Sequence, residues 1–477
     1  MLFNSFEFVA FFAAFLAVFF TAPTRLQPYT LLVASYVFYM SWRPSFALLL
    51  ALTTVVDYTT AVVMVRSRSQ AARRAAMLTA LTINLGILGT VKYLDFMITN
   101  AIGVMGLLGY NLSHETLGLV LPLGISFYTF QSISYTLDVY HRRVEAEHNF
   151  LTYAQYVSFF PQLIAGPIER AAHMLPQFRI GHRLTYDNLT SGLFLVGWGL
   201  FKKMCIADAI GPAVNSIYTS PADYAGTYQI VAAVLFAIQI YCDFSGYSDV
   251  ARGTARIMGV DLMINFRQPY FATSLQEFWH RWHISLSTWF RDYLFIPLGG
   301  SRGGELSVAR NLMIVFVVSG IWHGAAWTFA AWGTIHGAGL VIERAVIRLV
   351  RPEIWLAAPA RRLIGWCWMM IVVLVGWVFF RSSSIANAID ALQSMTQLGA
   401  VSYFTFKMLN LASVEMMMLM ISLTVLLVVD FHLAFRAGRL EALGCRRWVS
   451  TGAGIAIVYY ILLFGVFGHL EFIYFQF

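Results

Sequence analysis

Long apolar stretches follow one another along the whole chain, separated by short polar segments. They lie near Phe6–Ala22, Tyr29–Met40, Pro44–Val65, Ala76–Ile98, Leu117–Leu137, Tyr153–Ile164, Leu193–Ile210, Ile230–Tyr241, Asn311–Val341, Leu363–Phe380, Leu411–Val429 and Gly452–Phe467. The alternation of a membrane β-barrel is absent, so helices must satisfy the backbone hydrogen bonds inside the bilayer. The pattern predicts an all-α polytopic membrane protein.

Several of these stretches are too short, or too interrupted by Gly and Pro, to be plain spans. Short apolar segments often form re-entrant or interfacial helices, and non-helical backbone is tolerated at membrane depth only inside protein or beside a water-filled cavity. We therefore expect roughly 10 to 12 transmembrane helices, together with re-entrant or interfacial helices around a central cavity. No internal repeat or linker divides the chain, so residues 1–477 are predicted to form a single membrane domain.

The composition leaves no room for a large soluble domain. Hydrophobic residues make up 59% of the 477 residues and charged residues only 12%, against about 25% charged in an average globular chain. We interpret the net charge of +8 as positive charge in cytoplasmic loops, and no nucleic-acid binding is predicted. The four scattered cysteines indicate neither a disulfide framework nor a zinc site.

Basic clusters set the expected orientation of the chain. They are Arg66–Arg74, Lys202 with Lys203, Arg344–Arg362 and Arg436–Arg447. Placing all four on the cytoplasmic side makes the final span run outward, so the tail at 468–477 would end outside the cytoplasm. The first apolar stretch is expected to be retained as a span, with its N-terminus outside the cytoplasm.

Two histidines are the first candidates for chemistry, because an ionisable residue inside a membrane segment is costly and usually functional. His323 lies in the apolar sequence SGIWHGAAW, between glycines that let another group come close. A packed histidine bonded to a neighbouring helix is the alternative. His283 lies in EFWHRWHISLS, which an amphipathic interfacial helix would also explain. Spacing gives little support to a metal site built from histidines, so no metal is predicted.

Other polar residues lie within or beside apolar sequence. Asp243 and Asp249 in YCDFSGYSD are expected to join helices through Arg or His, because buried carboxylates need partners. The turn LGGSRGG around Arg302 offers backbone N–H groups and a charge to phosphates, although a mobile turn is the commoner role. Lys202 and Lys203 offer charge likewise, or anchor the chain at lipid headgroups.

Long motifs carry a resemblance to a known family. They are LPLGISFYTFQSISYTLDVY (Leu121–Tyr140), FFPQLIAGPIER (Phe159–Arg170), YCDFSGYSD, EFWHRWHISLSTWFRDYLFIPLGGSRGG (Glu277–Gly304), IWHGAAWTFAAWGTIHG and GWVFFR (Gly376–Arg381). Over nearly its whole length the sequence resembles the membrane-bound O-acyltransferases (MBOAT), in the bacterial branch of alginate O-acetyltransferases and teichoic-acid D-alanylation proteins. The likeness to the alginate O-acetyltransferase group is the strongest.

The resemblance implies a hydrophilic funnel through a thin part of the bacterial inner (plasma) membrane. The family's invariant histidine maps to His323 and its second histidine to His283. His323 would act as general base, while His283 or a nearby hydroxyl stabilises the thioester oxygen. Acetyl-CoA would be the cytoplasmic donor substrate, with its phosphates near Arg302, Lys202 and Lys203. No permanently bound cofactor is implied.

The resemblance also implies partners outside the membrane. A periplasmic acetyltransferase of the SGNH-hydrolase type, with a Ser/His/Asp site, would pass the acetyl group to an exopolysaccharide; membrane lipid surrounds the protein. D-alanyl transfer to teichoic acid, or a transporter or flippase without acyl chemistry, are the alternatives.

The final residues carry one more candidate. FIYFQF resembles the FxYxxF acyl-transfer motif of a small protein that works beside the D-alanylation proteins and presents a tyrosine to the funnel from outside. Tyr474 is therefore a candidate nucleophile. An aromatic anchor in the outer membrane interface is the alternative.

Overall fold

The computed structural model is built from helices. It describes residues 1–110, 112, 117–164, 166–351, 354, 356–399, 413–435, 447–468 and 472–473, and this part of the chain contains no strand. Six of its helices are long and apolar enough to cross a membrane: Phe46–Arg66, Gln70–Leu107, Gly226–Ile257, Glu305–His323, Ala358–Arg381 and Val414–Phe435. The prediction of an all-α polytopic membrane protein is confirmed.

Twenty α-helices make up the described part of the chain. In order they are α1 Phe6–Thr21, α2 Gln27–Met40, α3 Phe46–Arg66, α4 Gln70–Leu88, α5 Leu94–Leu107, α6 Ile125–Tyr140, α7 Phe150–Ser158, α8 Phe160–Leu163, α9 Ala171–Phe178, α10 Tyr186–Leu200, α11 Asp208–Thr219, α12 Gly226–Ile257, α13 Leu275–Arg281, α14 Ile284–Phe290, α15 Glu305–His323, α16 Trp327–Val350, α17 Ala358–Arg381, α18 Ile385–Ser394, α19 Ser413–Phe435 and α20 Arg447–Phe464.

The chain divides into two compact units. One comprises Met1–Leu189 with Thr254–Met263, and the other comprises Thr190–Gly253 with Ile264–Phe477. The single membrane domain over residues 1–477 stays a prediction.

Aromatic packing forms the interior of the first unit. The ring of Phe160 lies 5.5 Å, centroid to centroid, from each of the rings of Phe11, Phe15 and Phe38. Offset and edge-on contacts at this distance add to the free energy of burying the rings. Because Phe160 begins the four-residue helix α8, these contacts fix a short, proline-containing element among longer helices.

The second unit contains the candidate site and two π-helical segments beside it. Phe201–Ala207 continues α10 and carries Lys202 and Lys203, and Arg291–Phe295 continues α14. π-Helical turns inside helices occur often at functional sites, because the wider turn changes the direction of the side chains that follow.

The hairpin of α15 and α16 depends on two glycines. A Cβ atom on Gly320 would lie 2.2 Å from the carbonyl oxygen of Phe329, and one on Gly333 would lie 2.2 Å from that of Phe316. The two helices therefore approach more closely than any residue with a side chain allows. This contact fixes the end of α15, where His323 is the last helical residue.

Candidate functional site

His283 lies at the junction of two short helices. It precedes α14 in a left-handed backbone conformation, with φ of 42°, and its side chain is fully buried. The start of α13 is held by Glu343, whose carboxylate accepts the N–H of Leu275 at 2.6 Å. A strained backbone at a buried polar residue is typical of a functional site.

Asn265 fixes the protonation pattern of His283. Its Oδ1 atom accepts the backbone N–H of Ser285 at 3.2 Å, which identifies that atom as oxygen because a backbone N–H only donates. The same Oδ1 lies 3.1 Å from Nδ1 of His283, so Nδ1 carries the proton and donates it. Burial lowers the pKa of the imidazole, which keeps the ring neutral with its lone pair on Nε2.

His323 is enclosed by aromatic rings. Its ring centroid lies 5.0 Å from that of Trp322, 4.9 Å from that of Trp332 and 5.4 Å from that of Phe380. The ring of His283 also lies near Trp322, with centroids 6.4 Å apart. The structure thus brings the two predicted histidines together around one indole. We call His283, His323, Asn265 and Trp322 the histidine centre.

A cavity of about 490 Å³ reaches towards this centre. Its lining includes Val308 and Ser319 on α15, and Trp279 on α13. The twelve residues from Val308 to Ser319 span roughly 16 Å of helix. Ser319 lies about one turn before His323, and Trp279 contacts the ring of Trp332 at 5.7 Å. One aromatic side chain therefore connects the cavity wall to His323.

The opposite end of the cavity is basic. Arg291, Arg344 and Arg348 line it, and both Arg344 and Arg348 pair with Glu305 at the start of α15. Arg302 is exposed and directly follows Ser301, another lining residue. The contact of Arg302 with the donor phosphates stays a prediction, and the cavity lies next to this residue.

Lys202 and Lys203 lie in the interior, with 3% and 2% of their surfaces exposed. The ammonium group of Lys202 bonds Asp249 at 2.7 Å. That of Lys203 bonds Asp208 at 2.8 Å and Asp243 at 2.7 Å. We call these five side chains the lysine cluster. The carboxylates join helices as expected, but through lysines, with Arg252 as a further partner of Asp249.

The buried location of the two lysines bears on both of their predicted roles. Their predicted phosphate contacts, like their alternative role as lipid anchors, assumed ammonium groups near the membrane surface. Both groups instead meet buried carboxylates, which neutralise charge that a phosphate would otherwise attract. The phosphate role stays a prediction, and it would require these ion pairs to open.

The candidate nucleophile Tyr474 lies outside the described residues, but the two residues before it are described. Phe472 is fully buried and Ile473 nearly so. The ring of Phe472 lies 5.5 Å from that of Phe244, and Phe244 lies 4.6 Å from the ring of His283. The segment leading to Tyr474 therefore lies next to the histidine centre.

Sequence reasoning missed Asn265 and the role of Trp322. A single amide between Ile264 and Phe266 is a weak signal, but it is the kind of buried polar residue that requires a partner. For Arg344 and Arg348 the sequence predicts only the orientation of the chain in the membrane. Within the described residues, no group of three or more His, Cys, Asp or Glu side chains is arranged to hold a metal ion.

Comparisons with known proteins identify relatives over most of the chain. The model of the membrane-bound O-acyltransferase family matches residues 143–386. A probable alginate O-acetylase AlgI of Azotobacter vinelandii is 37% identical over 435 residues, covering 90% of this chain and 84% of the relative. A peptidoglycan O-acetyltransferase of Helicobacter pylori is 37% identical over 428 residues, covering 82% and 79%.

A more distant relative covers less of the sequence. The teichoic acid D-alanyltransferase of Streptococcus thermophilus is 30% identical over 241 residues, which is 47% of this chain and 57% of that protein.

Proposed function

Because the chain belongs to the membrane-bound O-acyltransferase family, we propose that it moves acetyl groups from cytoplasmic acetyl-CoA towards an exopolysaccharide outside the inner membrane. O-acyl transfer is the activity of its relatives, so a transporter or flippase without acyl chemistry is no longer an alternative. The alginate O-acetylase that matches along 90% of the chain supports an acetyl group and an alginate-like acceptor. D-alanyl transfer rests on a relative matching 47% and is the second candidate.

The observation that carries this proposal is the pair of buried histidines that share Trp322, near a cavity whose lining includes Ser319, four residues before His323, and the basic side chains of Arg344 and Arg348. Acetyl-CoA has a charged end and a long neutral arm that ends in the thioester. The phosphates would bind near Arg302, Arg344 and Arg348, and the arm would enter the cavity towards His323. Arg344 and Arg348 belong to the cluster expected on the cytoplasmic side, where the donor is present.

The chemistry requires a base and a donor to the thioester oxygen. His323 would accept the proton of the attacking hydroxyl, a contribution typically of about 10²–10⁴ in rate. Neutral His283 presents a lone pair at Nε2 and cannot donate from that atom. It would therefore orient the hydroxyl before the attack by accepting its hydrogen bond, and the single proton would pass to His323 as the oxygen attacks. The oxyanion role passes to the predicted alternative, a nearby hydroxyl.

A covalent relay would solve the transfer across the membrane, because CoA is too large and charged to cross. The Tyr474 hydroxyl would attack the acetyl carbonyl, its proton would pass to His323, and the C–S bond would break to release CoA, whose thiolate takes that proton. The acetyl-tyrosine is a phenyl ester with a good leaving group. It would pass its acetyl to the serine of a periplasmic SGNH-hydrolase-like partner, which regenerates the tyrosine hydroxyl.

Tyr474→Phe tests the relay against an aromatic anchor, since it keeps the ring and removes only the nucleophile. We expect loss of polysaccharide acetylation at unchanged protein abundance, and an acetyl adduct on wild-type Tyr474 by mass spectrometry. Acetylation at the wild-type level in the variant would exclude the relay.

A further inference from the structure

We propose that Asp243 is a positioning residue that docks the segment preceding Tyr474 on α12 beside His283. Its carboxylate accepts the backbone N–H of Ile473 at 2.7 Å, across 230 residues of sequence. The contact joins a transmembrane helix to a distant segment of the chain. The catalytic consequence rests on the tyrosine relay proposed above, whereas the docking itself does not.

The carboxylate of Asp243 has two distinct partners. Its Oδ1 atom bonds the ammonium group of Lys203 at 2.7 Å, while Oδ2 accepts the Ile473 N–H. Only 3% of the residue is exposed. A buried carboxylate is costly unless both oxygens are bonded, so Lys203 stabilises the charged form and the backbone N–H completes it. Docking of the segment therefore satisfies a buried group that is otherwise incomplete.

Phe472 provides an apolar contact on the same face of α12. Its ring lies 4.6 Å from that of Tyr247 and 5.5 Å from that of Phe244, by centroids. Positions 243, 244 and 247 share one helical face, because residues three and four apart are neighbours on a helix. Two consecutive residues are thus held by one face, Phe472 through its ring and Ile473 through its backbone.

The contacts of Phe472 and Ile473 with α12 hold the residue that precedes Tyr474 next to the histidine centre. Phe244 contacts both Phe472 and His283, so one side chain joins the docked segment to the histidine centre. Tyr474 directly follows the anchored N–H of Ile473. If docking loosens, the tyrosine should reach the thioester less often, whereas the donor cavity, lined by α13 to α16, should be unchanged. The expected signature is a lower kcat for acetylation of Tyr474 at constant KM for acetyl-CoA.

Hydrogen–deuterium exchange of the full-length protein in detergent tests the docking directly. In the peptide covering Phe472 and Ile473, the amide of Ile473 should be protected. Asp243→Ala should raise the exchange rate of that amide about 10- to 100-fold, as expected for loss of a hydrogen bond to a charged acceptor. Asp243→Asn should give a smaller increase, because its amide oxygen still accepts the N–H.

Asp249→Asn is the matched control. It removes a carboxylate from the same helix and the same lysine cluster, but Asp249 bonds Lys202 and Arg252 rather than the docked segment. We expect wild-type protection of Ile473 in this variant. Equal exchange in wild type and in folded Asp243→Ala protein, or equal deprotection by Asp249→Asn, would overturn the proposal.

A second variant guards against misfolding of Asp243→Ala. Phe472→Ala removes the ring contact at the segment itself and leaves the ion pairs of α12 in place, and it should also deprotect Ile473. The relay has a separate readout. Absence of an acetyl adduct on wild-type Tyr474, with Ile473 protected, would reject the relay and leave the docking intact. Wild-type acetylation kinetics in a deprotected variant would reject the positioning role.

Discussion

The histidine centre and the lysine cluster bury polar side chains in different ways. In the histidine centre a neutral imidazole is held by one amide and by aromatic rings. In the lysine cluster every charge meets an opposite charge within 3 Å, as Lys203 does between Asp208 and Asp243. The first arrangement keeps the imidazole of His283 neutral, whereas the second commits its charges to one another.

The two ways of burying polar side chains predict different effects of substitution. A neutral, oriented imidazole offers a lone pair in a fixed direction, which is what positioning a hydroxyl for acyl transfer requires. A cluster of buried ion pairs costs desolvation and stabilises only one arrangement of its helices. Substitutions in the histidine centre should therefore reduce activity at constant stability, and substitutions in the lysine cluster should reduce stability itself.

The largest expected effect is on activity. His323→Ala should reduce acyl transfer by about 10²–10⁴-fold, because it removes the proposed base. The melting temperature in detergent should change little by comparison. His336→Ala is the matched control, because that histidine is also buried and contacts Trp332. Most transfer activity remaining in the His323 variant would reject its assignment as base.

The lysine cluster should give the largest effect on stability. Lys203→Ala leaves Asp208 and Asp243 buried without their shared cation, which should cost about 3–5 kcal/mol. Thermal unfolding and membrane abundance measure this loss, with exposed Arg361→Gln as the control. A melting temperature at the wild-type value would show that the cluster does not hold these helices together.

Substitution of Asn265 should reduce activity through its hydrogen bond to His283. Asn265→Ala removes the acceptor that selects the Nδ1–H tautomer of His283, so kcat should fall about tenfold, equivalent to one hydrogen bond. The KM for the donor should be unchanged. Ser248→Ala, which removes only the partner of the Asn265 amide group, should have a smaller effect. Equal kcat in the two variants would argue against tautomer selection.

Substitutions of the arginines at the basic end of the cavity should have the smallest effect, a modest rise in KM. Arg302→Gln and Arg344→Gln should each raise KM for acetyl-CoA about two- to fivefold, since partly exposed charges contribute up to about 1 kcal/mol each. The kcat should be unchanged, because phosphates do not react. A fall in kcat at constant KM would exclude a phosphate site here.

The sequence alone predicts those parts of the molecule that depend on local pattern. The helical membrane class follows from apolar length, and His323 stands out because an ionisable residue interrupts an apolar stretch. The partners of buried groups depend on tertiary structure: Lys203 meets Asp243 forty residues later, and Asp243 meets Ile473 after 230 more. No periodicity records such pairings, which is why the two lysines were expected at a surface.

The cavity could not be predicted from the sequence for the same reason. Arg344 and Arg348 carry an obvious topological signal, but their position at a cavity mouth depends on the packing of α13 to α16. The role of Asn265 depends on the left-handed turn at His283, a conformation that a non-glycine residue adopts only where its surroundings require it.

The most direct test of acyl transfer is incubation of the purified protein with acetyl-CoA labelled in the acetyl group. Wild type should acquire covalently bound label on the protein and deliver it to the extracytoplasmic partner, and folded His323→Ala protein should do neither. Equal labelling of the two proteins, or movement of label across proteoliposomes without any covalent transfer, would contradict the account.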